Sequence, residues 1–89
     1  MSLSENFKKY LTAINNISNA GNIVTNSSLA DYLGEVSYKT PMDFFNRNNY
    51  LRKFVNINKN KKITTYSLTK KGKDAITLME YFKEYYHSL

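Results

Sequence analysis

Residues Tyr50 to Lys73 read YLRKFVNINKNKKITTYSLTKKGK, a stretch that holds most of the chain's positive charge and its clearest strand-turn-strand signal. Phe54, Val55 and Ile57 on one side, and Ile63, Thr64, Thr65, Tyr66 and Leu68 on the other, are apolar, aromatic or β-branched, the residue types that fit a pleated surface. Between them lies Asn58-Lys59-Asn60-Lys61-Lys62. Asn tolerates left-handed backbone and bonds its own main chain, so the two asparagines predict a hairpin bend without glycine. Three of these five residues are lysines, and cations crowded at one tip repel one another unless they are solvated or face an anion. A charged tip also blunts edge-to-edge strand pairing. A solvated turn and an anion-binding tip therefore both fit these residues alone, and the surroundings must decide.

The 89 residues make one domain, 1–89, with a modest core of two or three helices and a small sheet, close to the size at which oligomerisation adds useful burial. Without cysteine the chain has neither disulfides nor thiolate metal ligands. It carries no apolar run near the ~18 residues of a membrane span, and no secretory n-region followed by an apolar h-region. A soluble cytoplasmic protein with no membrane partner is the expectation. Charge is more informative: between Lys39 and Lys73 ten lysines and arginines stand against Asp43 alone, whereas the rest of the chain holds three bases and six acids. Such polarisation is the footprint of a polyanion partner, and nucleic acid fits better than membrane because no long amphipathic helix carries the basic residues.

Taken in order, Ser2-Leu3-Ser4-Glu5 offers an N-cap and a reciprocal Glu, after which Phe7, Tyr10, Leu11, Ile14 and Ile17 recur at helical spacing until Ala20-Gly21 stops the helix. Asn22-Ile23-Val24-Thr25 suits an edge strand or extended connector that pairs with the hairpin. Asn26-Ser27-Ser28 then offers caps for a two-turn helix carrying Leu29, Ala30, Tyr32 and Leu33, ended by Gly34. Thr40-Pro41-Met42-Asp43 reads as N-cap, Pro at the first helical position and an acid bonding back to the cap, with a start one turn earlier at Ser37 as the alternative. On this third helix Met42 and Phe45 share one face, with Phe44 at its border, while Lys39, Asp43, Asn46, Arg47 and Tyr50 gather on the other. Asn and Arg can make bidentate contacts with adenine and guanine edges, so the helix fits a major groove; a merely solvated polar face fits too. Asn48-Asn49 closes it before the hairpin.

Leu68 opens the C-terminal segment 68–89, where Thr69 caps a last helix running to about His87. Gly72 falls in its first turn, a costly placement unless a close neighbour forbids a side chain. Downstream, Ala75, Leu78, Met79, Phe82, Tyr85, Tyr86 and Leu89 form an apolar stripe too wide for one small domain to cover. Leu78, Met79, Phe82, Tyr85 and Tyr86 are accordingly expected at a homodimer interface.

The order helix, short strand, helix, helix, two-stranded hairpin, helix is α+β and mainly α. With LADYLG in the second helix and YSLTKKGKDAI after the hairpin, it resembles the winged helix-turn-helix regulators, in particular the small PadR-like and MarR-like proteins of prokaryotes. The resemblance spans the whole chain; where the family often has Gly-Leu before the wing, this sequence has Tyr50-Leu51. It implies a third helix lying in the major groove of double-stranded DNA and a wing on the flanking backbone or minor groove. Tyr38, Lys39, Thr40, Asp43, Asn46 and Arg47 would then face base edges and nearby phosphates. Lys59, Asn60, Lys61 and Lys62 would form the wing tip, and Ser27, Ser28, Arg52 and Lys53 would reach further phosphates.

An enzyme lacks its parts: His87 is the one histidine, and no serine has a base beside it. No glycine-rich phosphate loop, helix-spaced metal ligands or carboxylate pair occurs either, so neither metal nor cofactor is expected. The sequence points to a dimeric, nucleoid-associated transcriptional regulator. A partition or architectural protein that coats DNA through the same module, and a winged helix that holds an acidic protein, are the alternatives.

Overall fold

Helix α1 (Leu3–Asn19) forms because its apolar residues recur every three or four positions, and that stripe becomes the centre of the molecule: Tyr10, Leu11, Ala13, Ile14 and Ile17 are all buried. The computed structural model describes residues 3–88, with side-chain surroundings for residues 5–84. Ser2, half of the expected first cap, lies outside the described residues. The chain continues through α2 (Asn26–Leu33), α3 (Lys39–Arg47), a 3-10 turn (Asn49–Lys53), strands β1 (Val55–Lys59) and β2 (Thr64–Leu68), and α4 (Lys70–Ser88). The result is a small α+β fold, mainly helical, whose strands make one antiparallel pair with Val55 opposite Leu68 and Lys59 opposite Thr64.

Both glycines that the sequence places at helix ends do that work. Gly21 and Gly34 adopt positive φ of 83° and 69°, and each leads a pair of crossed bonds that satisfies the last helical carbonyls: Gly21 N to Ser18 O with Asn22 N to Ile17 O, and Gly34 N to Asp31 O with Glu35 N to Ala30 O. The start of α2 differs from expectation. Thr25, not Asn26 to Ser28, is the cap: its hydroxyl accepts from Ser28 N at 3.0 Å, and Ser28 Oγ accepts from Thr25 N at 2.7 Å. Two orphan amides are thereby satisfied reciprocally by a Ser in the position usually taken by Glu or Gln.

Helix α3 begins earlier than Thr40, close to the alternative start at Ser37. Its cap position is Tyr38, and the residue that receives its first amides is Ser37, whose Oγ accepts from Lys39 N at 3.1 Å. Pro41 is thus the third helical residue and is buried; no helical bond is lost, because the first four amides of a helix have no internal acceptor. Asp43 falls beyond the cap and is exposed.

Two further expectations change. Residues 22–25 do not form a strand: they meet the hairpin through a single bridge, Thr25 to Thr65, and one bond from Tyr66 N to Val24 O of 3.0 Å. The hairpin turn is shorter than Asn58 to Lys62, because Asn58 and Lys59 pair in β1 and the bend is closed by Asn60 N donating to Ile63 O at 2.9 Å. No non-glycine residue among those described has positive φ, so the asparagines do not serve as left-handed residues. Asn60 instead accepts from Lys61 N through its side chain at 2.7 Å.

The core joins all elements. Phe45 of α3 lies between Tyr10 of α1, at 5.5 Å between ring centres, and Tyr66 of β2, at 4.6 Å. Tyr10 also stacks on Phe44 at 4.6 Å. Leu51, buried in the unforeseen 3-10 turn, ties α3 to the hairpin base. Gly72 explains itself: a Cβ there would collide with the carbonyl oxygen of Phe54 and stand 3.2 Å from the Leu68 side chain. No helix among the described residues is long and apolar enough to cross a membrane.

Candidate nucleic-acid interface

Three short segments far apart in sequence surround one open cleft of about 550 Å³: Thr25, Asn26 and Ser27 where α2 begins, Tyr38 and Met42 on α3, and Asn60 to Thr64 at the hairpin tip. The hairpin is held there from both ends. On β2 Tyr66 donates its hydroxyl to Asn26 Oδ1 at 2.5 Å, alongside the Thr25 to Thr65 bridge, so this strand is pinned to the start of α2. Burial pushes the Tyr66 phenol up to about 12, which keeps it neutral and donating throughout the physiological range. At its base Thr69 caps α4 and clamps the preceding turn: Thr69 Oγ1 accepts from Gly72 N at 3.1 Å and donates to Lys53 O at 2.7 Å, while Thr69 N donates to Phe54 O at 3.0 Å.

Helix α3 is positioned from behind by a polar contact the sequence reading missed. Glu35, in the connection from α2 to α3, accepts from the Tyr10 hydroxyl at 2.7 Å and pairs with Lys9 at 3.5 Å. Burial first, and the Glu35 carboxylate second, push the Tyr10 phenol well above the ordinary tyrosine range. Because the Tyr10 ring also stacks on Phe44, one side chain of α1 touches both the connection and α3. Nothing local marks Glu35 for this role, since its partner lies twenty-five residues away.

The residues expected to read DNA fall into two groups. Lys39, Thr40, Asp43, Asn46 and Arg47 are exposed on α3, and Phe45 behind them is buried, so the two-faced character of this helix is present in three dimensions. Tyr38 is exposed as well but turns toward the cleft, with Met42. Asn60, Lys61 and Lys62 line the same cleft, whereas Lys59 is exposed outside it. Arg52 and Lys53 are exposed on the 3-10 turn. The serines of α2 separate: Ser27 lines the cleft, but the Ser28 hydroxyl is engaged within the cap, contacting Thr25 N, Thr25 O and Ile23 O. Met42, expected on the packed face of α3 with Phe45, lines the cleft and is not part of the core cluster; Ile63, Thr64 and Asn26 also belong to the cleft, and a period-two or 3.6 pattern carries no signal for which loop ends meet.

The apolar stripe of α4 also divides. Ile76 is buried, and Ala75 and Met79 pack against the core. Met79 is thus shared with the protein's own interior and is not a free contact residue. Leu78, Tyr81 and Phe82 point away, 56 %, 63 % and 51 % exposed, with the last two rings 5.9 Å apart. The expected interface side chains of Tyr85 and Tyr86 lie outside the described residues. Among the described residues no group of three or more His, Cys, Asp or Glu side chains lies close enough to hold a metal ion. No family model, curated protein or solved structure matches this chain.

Proposed function

We propose that the protein binds double-stranded DNA as a winged helix-turn-helix regulator, with α3 in the major groove and the lysine-tipped hairpin on the adjoining backbone. The observation that carries this reading is the shared cleft: the most basic loop and the start of the helix with the exposed Asn/Arg face border one concavity. Lysines at a loop tip give affinity and orientation through phosphates, while base edges are read by side chains such as Asn46 and Arg47. The two contributions are separable. After selection of a preferred site from random DNA, Asn46→Ala and Arg47→Ala are each expected to reduce discrimination between that site and random sequence by about 1 to 3 kcal/mol. An equal loss on both DNAs in a competition titration would instead support a coating protein that uses the same module.

The reading includes a second copy of the chain. Leu78, Tyr81 and Phe82 form an exposed apolar patch on one face of α4, beside a groove lined by Lys8, Thr12, Met79, Phe82 and Lys83. Glu80 and Glu84 are exposed on the same helix as Lys83. A helix bearing both signs around an apolar stripe is complementary to itself when related by a twofold axis, which suits an isologous dimer. Light scattering across a concentration series is expected to give a dimer for the wild type and a monomer for Phe82→Glu. A wild-type monomer at every concentration removes this interface.

A further inference from the structure

The cleft holds more than charge. Tyr38, 52 % exposed, forms one wall with Met42, and Ile63, 47 % exposed, faces them from the hairpin tip beside Lys61 and Lys62. Tyr38 takes part in none of the ring–ring contacts among the described residues, and about half of its surface meets solvent on the cleft side. Apolar side chains so placed add nothing to a purely electrostatic contact, and leaving them in water has no stabilising return. At about 550 Å³ the concavity falls within the ~300–1,000 Å³ range of small-molecule sites. A stacked duplex keeps its base faces covered, whereas a base outside the stack exposes a flat apolar face of the kind an open tyrosine ring accepts.

On the strength of the nucleic-acid reading above, we infer that this cleft seats an unstacked nucleotide of a single DNA strand, the base against Tyr38 and the flanking phosphates at Lys61 and Lys62. Stacking on an aromatic ring is tolerant of base identity, and lysines beside it track the backbone without reading sequence. The site is therefore one for single-stranded or locally unpaired DNA. It uses Tyr38 and leaves the Asn46 and Arg47 side chains, which do not line the cleft, free of the contact.

Fluorescence anisotropy on three probes tests this: a short oligothymidylate, an abasic oligomer of equal length and charge, and a duplex. The expected result is tighter binding of oligothymidylate than of the abasic strand. Tyr38→Ala should lower oligothymidylate affinity by roughly 5- to 150-fold, the range for loss of one stacked base, with Tyr38→Phe close to wild type. Equal affinity for the abasic and thymidine strands, or an unaffected Tyr38→Ala variant, overturns the cleft inference. Binding of the duplex but of neither single strand also overturns it while leaving the duplex reading intact. Binding of none of the three overturns both.

Discussion

Gly72→Ala is expected to lower stability by about 3 kcal/mol, although alanine improves helix propensity by ~1 kcal/mol relative to glycine. The added methyl would overlap the Phe54 carbonyl oxygen, which is backbone and cannot swing aside as a flexible side chain does. Relief requires α4 to move off the turn that precedes β1. That movement breaks the Thr69 N to Phe54 O bond and strains the Thr69 Oγ1 to Lys53 O bond at the hairpin base, each worth ~1 kcal/mol. For a domain of 60–100 residues 1 kcal/mol moves the thermal midpoint by ~4–8 °C, so circular dichroism should show a midpoint about 15 °C lower. Lys71→Ala, at an exposed neighbouring position, is the matched control and should stay within ~0.5 kcal/mol of wild type. A midpoint for Gly72→Ala equal to or above that control would show that α4 does not approach Phe54 this closely.

Replacing Lys59, Lys61 and Lys62 together by Gln should have the largest effect on binding while sparing the fold. All three are exposed and none forms an ion pair among the described residues, where the recorded pair is Lys9 with Glu35. Each phosphate contact contributes ~0.9 to the slope of log affinity against log salt. Loss of three flattens the slope by up to ~2.7, which corresponds to roughly 10²–10³-fold weaker binding at 0.1 M salt, on all duplex sequences alike. Titrations of wild type and variant on one duplex between low and moderate salt measure the change directly. An unaltered slope would take the hairpin tip out of the interface and leave the exposed face of α3 as the candidate surface. The thermal midpoint should not fall, because removing like charges at a solvated tip relieves repulsion.

The elements were legible where their cause is local. The stripe Tyr10, Leu11, Ile14, Ile17 predicts α1 and its buried face because side chains three and four residues apart share a side of a helix. Gly34 predicts the end of α2 because only a residue without Cβ enters the left-handed region cheaply. The division of α3 into a buried Phe45 side and an exposed Asn46 and Arg47 side follows from the same periodicity.

Where two local signals compete, the pattern misled. Thr25, Asn26, Ser27 and Ser28 are all acceptable caps, and Thr25 was chosen by the Ser28 partner three residues on. Ser37 took the amide at the start of α3 although Thr40-Pro41 has the better cap composition. The 3-10 turn at Asn49–Lys53 has no periodic signature of its own and exists because Leu51 must reach the core. The expected strand at 22–25 shrank to one bridge and one further bond, from Tyr66 N to Val24 O, because the contact with β2 does not extend beyond Val24 and Thr25.

By itself, then, the sequence determined the C-terminal ends of α1 and α2, the buried face of α1 and the concentration of cations on the hairpin, each a matter of near neighbours in the chain. Only the tertiary structure decided that Thr25–Ser27, Tyr38 with Met42, and Asn60–Thr64 enclose one cleft. The same holds for Glu35 reaching Tyr10 and for Gly72 being required by Phe54. The reason is that these contacts depend on how Phe45 wedges between Tyr10 and Tyr66. That packing is set by volume and shape across the whole core, which no local periodicity encodes.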